Sequence, residues 1–339
     1  MSDAPRNDGP APAEVAILGI GNALVDVISQ ESDELLDRLG LHKGGMDLID
    51  EDRMALLYGD MGPGIETSGG SAANTMAGIA SLGVSAHYIG RVRDDQLGNV
   101  FAHDIRTIGV GYTQTPALDG PATGCCLILV TPDAQRTMNT FLGASSLLGP
   151  DDVDLDLVAS AGIVYLEGYL FDRPEAQEAY RVASAAAHEA GRRVALTLSD
   201  TFCVDRHRAA FAELVAEHVD VLFANEAEIT ALYEVPDVEE AASLAAASCP
   251  LVVVTRSEKG AMVLADGQVL RVPAEPVEKV VDTTGAGDQF AAGFLAGLAQ
   301  GEPLERCARM GAIAAAEVIS HLGPRPMVSL AALVSDHRS

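Results

Sequence analysis

The chain of 339 residues lacks the marks of several large protein classes. No apolar run reaches the roughly 20 residues that a membrane-spanning helix needs. Lys and Arg total 22 against 49 for Asp and Glu, so the formal net charge is −27. Such an acidic surface repels nucleic acids and anionic membranes. We therefore expect a protein that binds neither, and the polar start without an apolar signal segment predicts a cytoplasmic location.

Cysteine is scarce and shows no recognisable pattern. Five Cys residues are present, an odd number, and no C-x-x-C pair occurs. Neither a disulfide framework nor a zinc site is therefore indicated. The sequence also has no Walker A, H-E-x-x-H, G-x-S-x-G or protein-kinase motif. These absences argue against a P-loop protein and against the other enzyme classes that those motifs define.

Short apolar segments alternate with helical patterns over much of the chain. This alternation predicts a mainly parallel sheet covered by helices on both faces, and 48% hydrophobic residues suffice for a large core. Ligands of such sheets bind beyond the carboxyl ends of the strands. The predicted strands are 15–20, 87–89, 125–130, 163–166, 194–198, 221–224, 251–255 and 262–264. The predicted helices lie near 151–160, 174–190, 206–218, 226–233, 238–248, 288–300 and 305–321.

Two segments, residues 31–66 and 111–141, interrupt this alternation. The first contains several glycine-rich turns, and the second contains a Thr-Pro-Asp turn followed by a returning strand over 136–141. We interpret both segments as a small β-rich lid. The lid is inserted in a single domain over residues 14–335, which follows a disordered start at residues 1–13.

The segment from Val280 to Phe290 is the most informative stretch of the chain. An apolar strand end runs into Asp-Thr-Thr-Gly-Ala-Gly-Asp, where a helix begins. Gly285 and Gly287 let backbone N–H groups at the positive end of the helix dipole face an anion. A carboxylate there, Asp288, fits a base that takes a proton from a hydroxyl as the hydroxyl attacks a bound phosphate. The simpler alternative, an Asp favoured at a helix start, does not explain the two glycines.

A second glycine-opened helix and an early Asp are further candidates for ligand binding. Gly69 and Gly70 would let a ligand approach the backbone, and Asn74, one turn later, would bond a ligand hydroxyl. The alternative is a packing helix capped by Ser71. Asp26 suits two neighbouring hydroxyls of a ribose or sugar, although an ordinary Asp at a strand end explains it as well.

Two further strand ends carry polar residues of less specific meaning. Asn225 and Glu228 suit Mg²⁺ held through water, but acidic capping of a helix gives the same pattern. The stretch from Thr255 to Gly260 suits a turn over a nucleotide and equally a plain hairpin turn.

These motifs resemble those of the ribokinase-type (PfkB) carbohydrate and nucleoside kinases. The resemblance rests on residues 69–74 and 282–288, with Asn225-Glu226-Ala227-Glu228 similar to the family's third motif. It covers nearly the whole chain, and the Asp-Thr-Thr-Gly-Ala-Gly-Asp run is highly specific. It implies a three-layer α/β/α fold with a β lid, and ATP-dependent phosphorylation of a primary hydroxyl.

The resemblance implies roles in phosphoryl transfer and in substrate binding. Asp288 would be the catalytic base. Gly285, Ala286 and Gly287 would form the anion hole for the transferring phosphoryl group. The residues that would bind the sugar hydroxyls of the substrate are Asp26, Gly69, Gly70 and Asn74.

The resemblance also implies sites for ATP and for cations. Asn225 and Glu228 would organise Mg²⁺ and phosphate through water. Thr255 and Gly260 would flank ATP, with Ser257 standing where the family often has a glycine. A monovalent cation site for K⁺ is an open alternative at two residues, Asp282 and Thr284.

The lid indicates the substrate. Residues 121–126 and 136–145 look more like adenosine kinases than like ribokinases or fructokinases. Arg136 would reach over the site and neutralise the transferring phosphate. Tyr169 and Phe171 would form an aromatic wall for a purine, although core positions explain them about equally well. Further apolar surface comes from Met46, Leu48 and Ile49. We therefore predict phosphorylation of the 5′-hydroxyl of a nucleoside, with adenosine favoured.

Three alternatives to a nucleoside kinase stay open. The first is a sugar kinase of the same family, acting on ribose, fructose or a related sugar. The second is a non-catalytic nucleotide or sugar sensor, against which Asp288 and the complete anion turn argue. The third is an NAD-dependent oxidoreductase, disfavoured because Leu24 replaces the third glycine of the dinucleotide fingerprint. Both a monomer and a homodimer are compatible with the sequence.

Overall fold

The computed structural model describes residues 13–133 and 135–337, so all but the last residue of the predicted disordered start lies outside it. Thirteen strands form two sheets in this part of the chain. They are β1 (Val15–Ile20), β2 (Leu24–Gln30), β3 (Met46–Leu48), β4 (Gly64–Gly69), β5 (Ala86–Ile89), β6 (Gly124–Val130), β7 (Arg136–Phe141), β8 (Ala161–Glu167), β9 (Arg193–Thr197), β10 (Val221–Asn225), β11 (Leu251–Thr255), β12 (Ala261–Ala265) and β13 (Gln268–Val272).

Helices connect most of these strands. They are α1 (Asp33–Leu39), α2 (Glu51–Asp60), α3 (Ser71–Ser81), α4 (Gln96–Thr107), α5 (Leu155–Ser160), α6 (Pro174–Glu189), α7 (Thr201–His218), α8 (Glu226–Tyr233), α9 (Val238–Ala246), α10 (Ala286–Ala299), α11 (Leu304–Val318) and α12 (Leu330–Asp336). Short 3₁₀ turns occupy Gly143–Leu147, Pro150–Asp152, Gly168–Asp172 and Ser257–Lys259. Within the described ranges, no helix is long and apolar enough to cross a membrane.

The larger sheet has eight strands in the order β13-β12-β11-β10-β9-β8-β1-β5. The strands from β11 to β5 are parallel, and β12 and β13 add an antiparallel edge. Successive side chains point to opposite faces, so Phe223 packs towards α3 and α10 while Leu222 packs in the core with α6 to α9. Both faces are thus covered, and the predicted three-layer α/β/α fold is confirmed.

The smaller sheet has five strands in the order β3-β7-β6-β2-β4 and forms the lid. The predicted returning strand is present as β7, which pairs antiparallel with β6. Strand β2 precedes the predicted lid segment 31–66, because the chain passes from β1 into the lid through three residues. The sequence did not predict β4, whose residues Gly-Ile-Glu-Thr-Ser-Gly lack an apolar run.

The register of the larger sheet brings its functional strand ends together. Glu167 at the end of β8 lies opposite Thr197 of β9, and Asn225 at the end of β10 lies opposite Thr255 of β11. Residues that follow different strands therefore meet at one edge of the sheet, beneath the lid. This is the edge at which parallel sheets bind ligands.

Candidate active site

A cleft of about 600 Å³ lies between this sheet edge and the lid. The first turns of α3 and α10 also line it. Most of the predicted site residues lie on its walls, namely Asp26, Gly70, Asn74, Arg136, Tyr169, Asn225, Glu228, Thr255, Thr284, Gly285, Ala286, Gly287 and Asp288. Four predicted site residues do not line it: Gly69, Phe171, Gly260 and Asp282.

The turn before α10 has the backbone geometry of an anion site. Gly285 is the N-cap and has a φ of +79°, a conformation that side chains rarely tolerate. A Cβ there would also lie 2.6 Å from the Cα of Pro324. A Cβ on Gly287 would meet open space. The Ala286 N–H donates to the Thr283 carbonyl oxygen at 3.2 Å. Because glycine offers no side chain to cap the helix, the N–H of Gly287 is left for a ligand.

The Asp288 carboxyl lies in the first turn of α10. Its Oδ1 accepts a hydrogen bond of 2.6 Å from the Ser71 hydroxyl. Burial raises the pKa of the Asp288 carboxyl to about 6, and the nearby Asp26 adds to this, while hydrogen bonds from Ser71 and Asn74 oppose it. A carboxylate with a raised pKa next to an anion site is suited to accept a proton near neutral pH.

The start of α3 differs from the sequence-based alternative of a serine cap. The N-cap is Gly70, with φ of +99°, and Ser71 is the first helical residue. A Cβ on Gly70 would lie 2.2 Å from the carbonyl oxygen of Asn22, so only glycine fits at the N-cap of this helix. The Ser71 hydroxyl is thereby free to reach Asp288 rather than its own helix.

The Asp26 side chain lies in strand β2 of the lid and is largely buried. Gly69 is predicted to bind substrate, but it contacts Asp26 instead of lining the cleft. A Cβ on Gly69 would lie 2.5 Å from the carboxyl carbon of Asp26, so the glycine makes room for that carboxylate. Burial raises the pKa of Asp26 to about 6, and the positive charges of Arg325 and Arg136 limit the rise.

Glu167 is a buried carboxylate that was not predicted from the sequence, and its hydrogen bonds link two segments at the floor of the cleft. Its Oε1 accepts hydrogen bonds from the backbone N–H and the side-chain Nδ2 of Asn22 at 3.1 and 2.8 Å, and its Oε2 accepts one from the Ala72 N–H at 2.8 Å. Burial raises the pKa of Glu167 to about 7. The signal available in the sequence was a carboxylate between an apolar strand and Gly168.

The Arg136 guanidinium lies at the lid side of the cleft, as predicted, and pairs with Asp282. Its Nε and Nη2 are buried and have no hydrogen-bond partner among the residues the structure describes. Asp282 accepts further bonds from the Thr284 hydroxyl at 2.6 Å and the Gly323 N–H at 3.0 Å. The Asp282 carboxylate is thus paired with Arg136 in this structure, and a K⁺ site at Asp282 and Thr284 stays a prediction.

Asn225 and Glu228 form a reciprocal cap at the start of α8. The Asn225 Oδ1 accepts from the Glu228 N–H at 2.8 Å, and the Glu228 Oε2 accepts from the Asn225 N–H at 2.9 Å. The capping alternative is therefore present, but both side chains also line the cleft. Burial raises the pKa of Glu228 to about 7, and the nearby Asp200 adds to this. Two neighbouring carboxylates on the cleft wall are a donor set that suits a hydrated Mg²⁺.

The turn from Thr255 to Gly260 is split between the cleft and the sheet. Thr255 lines the cleft, whereas Gly260 has a φ of +86° and packs where a Cβ would lie 2.0 Å from the Val272 carbonyl oxygen. Ser257 has a φ of +50°, which is the left-handed region. Glycine adopts such a φ without strain, which explains why the family often has glycine at this position.

The aromatic wall of the cleft is Tyr169 with Phe202, whose ring centroids are 5.9 Å apart. Phe171 is instead 1% exposed and packs on Tyr180 and Phe211, so its predicted place in the wall is wrong. The cause is the 3₁₀ turn Gly168–Asp172, in which residues two apart point in different directions. Phe202 was missed because it belongs to the next strand–helix unit.

The lid contributes an apolar wall to the same cleft. Met46 and Leu48 line it as expected, whereas Ile49 packs against the hydrophobic core. The apolar lid residues on the cleft surface are Leu24, Met46, Leu48, Ile128 and Met138.

This geometry agrees with comparisons to known proteins. A family model described as pfkB family carbohydrate kinase matches residues 65–330. The chain belongs to this family. This pfkB-family kinase is 50% identical to the adenosine kinase from Sinorhizobium meliloti, with a TM-score of 0.87 over 96% of this chain and 99% of that chain.

Two further relatives of this pfkB-family kinase are named for different substrates, one for a sugar and one for adenosine. A protein from Rhizobium etli CFN 42 named as a probable sugar kinase is 48% identical, with a TM-score of 0.88 over 96% of this chain and 98% of that chain. The adenosine kinase of Saccharomyces cerevisiae is 30% identical over 327 residues, which are 90% of this chain and 95% of that protein. The resemblance seen in the sequence is thereby confirmed, and the chain is a nucleoside or sugar kinase.

Proposed function

We propose that this kinase transfers the terminal phosphoryl group of ATP to the 5′-hydroxyl of a nucleoside, with adenosine preferred. The observation that carries the nucleoside is that the aromatic pair Tyr169 and Phe202 and the apolar lid residues line the same cleft. A flat purine would bury apolar surface against such a lining, whereas a free sugar would leave it without contacts. The similarity to two adenosine kinases supports the same choice.

The ribose has its own partners in the cleft. Asp26 would accept hydrogen bonds from the ribose hydroxyls, and the Asn74 amide would donate to one of them. Asp288 would then face the 5′-hydroxyl, because it directly follows the anion turn in the first turn of α10 and is bonded to α3 through Ser71. This arrangement holds the attacking oxygen and its base together, which favours reaction by orientation.

Phosphoryl transfer follows from the positions of these residues. The 5′-oxygen bonds to the terminal phosphorus while the bridging P–O bond to the diphosphate breaks, and Asp288 accepts the hydroxyl proton. The turn of Gly285, Ala286 and Gly287 would bind the oxygens of the transferring group, with the Gly287 N–H as a direct donor. The two unpartnered donors of Arg136 would stabilise the same negative charge.

The remaining wall of the cleft would hold the phosphate donor. Thr255 lies beside the anion turn on the cleft surface and would contact ATP. Glu228, with Asn225 and Asp200, would hold Mg²⁺ through water. When bound, Mg²⁺ neutralises phosphate charge. A cytoplasmic location stays a prediction from the sequence.

The second candidate is a sugar kinase of the same mechanism. It is favoured by the name of the Rhizobium etli relative and by the hydroxyl-binding end of the cleft, which would accept a free ribose or fructose equally well. The two candidates differ in whether the aromatic wall contributes to acceptor binding.

The test is ADP release with ATP and Mg²⁺ against adenosine, inosine, guanosine, ribose and fructose. We expect the highest kcat/KM with adenosine and its loss in Asp288→Asn. Phe202→Leu should raise the KM for adenosine about fivefold, since a ring contact contributes about 1 kcal/mol. Tyr58→Leu is the matched control, because Tyr58 is an exposed aromatic residue outside the cleft. Turnover confined to free sugars would replace the nucleoside by the second candidate.

A further inference from the structure

An arginine that is distant in sequence from every motif lies behind the substrate side of the site. Arg325 lies in the segment between α11 and α12. Its Nε donates a hydrogen bond of 3.0 Å to the Asn74 Oδ1, and its Nη1 lies 3.1 Å from the Asp104 Oδ2. The side chain is 18% exposed. The guanidinium thus bridges α3 and α4 behind the hydroxyl-binding wall of the cleft.

The bond to Asn74 determines which way that amide faces. Oδ1 is held by Arg325, so the Nδ2 group points to the other side. On that side, Asn74 supplies a hydrogen bond that lowers the pKa of Asp288. A reversed amide would place two donors against the guanidinium and an oxygen against the carboxylate. Arg325 therefore makes Asn74 a donor towards the catalytic base and the acceptor substrate.

The bond to Asp104 connects the same guanidinium to the lid. The Asp104 Oδ2 also accepts from the backbone N–H and the hydroxyl of Ser68, at 2.8 and 2.5 Å. Ser68 belongs to β4 and is followed by Gly69, which packs on the Asp26 carboxylate. Arg325 is thus linked through one carboxylate to the backbone that positions Asp26.

The charge of Arg325 also acts on Asp26 directly, because it lowers the pKa that burial raises. The Nη2 group is buried without a hydrogen-bond partner among the residues the structure describes. Burying an N–H donor without a hydrogen-bond partner costs free energy. Side-chain packing alone therefore does not explain why this group is buried. The other charged or titratable groups around Asp26 are Arg136 on β7, Glu66 on β4, Cys125 and Cys126 on β6, Asp104 on α4 and Asp288 on α10.

We infer that Arg325 is a positioning residue for the acceptor substrate: it orients the Asn74 amide and, through Asp104 and Ser68, holds the strand end that positions Asp26. This inference rests on the proposed roles of Asp26 and Asn74 in binding acceptor hydroxyls, and it holds for a nucleoside or a sugar. Arg325 acts through these two residues, since it does not line the cleft itself. Its removal should therefore weaken acceptor binding and leave ATP binding unchanged.

The experiment compares Arg325→Met and Arg325→Lys with the wild type. Arg325→Met should raise the KM for the acceptor about 10- to 100-fold, with the KM for ATP within about twofold. Arg325→Lys should restore the charge near Asp26 but not both hydrogen bonds, so it should fall between the two. Arg306→Met is the matched control, because Arg306 bonds the backbone carbonyls of Val334 and His337 away from the cleft.

The pH dependence separates positioning from a merely structural role. Without Arg325, the pKa of Asp26 should rise further above about 6, so acceptor binding should weaken at a higher pH than in the wild type. The measurement is acceptor affinity by calorimetry from pH 5 to 8, made in the Asp288→Asn background so that Asp288 does not titrate. Glu167 and Glu228, whose pKa values are about 7, titrate in both proteins and do not feel Arg325, so the difference between the two midpoints reports Asp26. Arg325→Lys should return the midpoint towards the wild-type value.

Two outcomes would overturn the inference. One is an unchanged acceptor KM in Arg325→Met, and the other is an equal loss for acceptor and ATP together with a fall in melting temperature. If Arg325→Met does not fold, Arg325→Lys and its pH midpoint decide. Absence of wild-type turnover on every acceptor would refute the proposed function, whereas normal wild-type turnover with an unaffected variant would refute the role of Arg325 alone.

Discussion

Replacing Asp288 by Asn should lower activity and raise stability in the same protein. Loss of a general base lowers kcat by about 10²–10⁴-fold. The stability effect follows from burial, which raises the pKa of Asp288 from 3.8 to about 6. The charged carboxylate is therefore less favourable in the folded state than in the unfolded state. At about 1.4 kcal/mol for each pKa unit, removing the charge should stabilise the protein by up to about 3 kcal/mol at neutral pH.

The sign of this effect depends on pH. The pKa of Asp288 is higher in the folded state than in the unfolded state. The loss of stability caused by its charge is therefore absent below about pH 4, grows as pH rises to about 6 and levels off there. Wild-type and Asp288→Asn stabilities should therefore converge in acid and separate towards neutral pH. The Asn Oδ1 can still accept the bond from Ser71, so the local geometry is kept.

The assays are steady-state turnover and urea denaturation at pH 4.5 and 7.5. Asp237→Asn is the control, since Asp237 caps α9 through its bond to the Glu240 N–H and lies away from the cleft, where Asn caps equally well. Turnover within tenfold of the wild type would refute the role of Asp288 as the base. A variant that is less stable than the wild type at pH 7.5 would refute the argument from burial.

Three further predictions follow from the site. The acid limb of kcat/KM should have its midpoint near pH 6, because both Asp26 and Asp288 must be ionised, and a pH profile midpoint below 5 would contradict this. Gly285→Ala should lower the free energy of unfolding by at least about 1–2 kcal/mol in urea denaturation and abolish turnover, because alanine would need a left-handed backbone and would also have to displace Pro324. Wild-type stability and turnover in this variant would argue against the tight turn. Ser257→Gly should raise the free energy of unfolding by up to about 1 kcal/mol without lowering kcat, since glycine relieves its positive φ; a less stable variant would contradict this reading.

The sequence predicted several strands that are short apolar runs, but it missed β2, which is largely buried, because Asp26 and Ser29 interrupt its apolar run. Strands β1 and β11 have the predicted bounds, because each is a short apolar run flanked by polar residues or turns. Strands β3 and β4 were not predicted. The first has three residues of which two are exposed, and the second is largely polar, so both depend on pairing with distant lid strands.

The same division applies to the site. The anion turn and Asp288 are specified by contiguous residues, and their backbone geometry could be predicted from local glycine chemistry. Glu167, Phe202 and Arg325 act through contacts between segments that are far apart in the sequence. No local pattern marks Arg325 in particular, because its partners are supplied by α3 and α4.

Two of the four chain passages between the lid and the main domain meet at the cleft. One passage is Gly21, Asn22 and Ala23 between β1 and β2, and the other is Gly70 between β4 and α3. Asn22 and Gly70 both line the cleft, and Gly70 packs against the Asn22 carbonyl. These two passages join the lid to residues of the proposed acceptor site, so a movement of the lid about them would also displace residues that contact the acceptor.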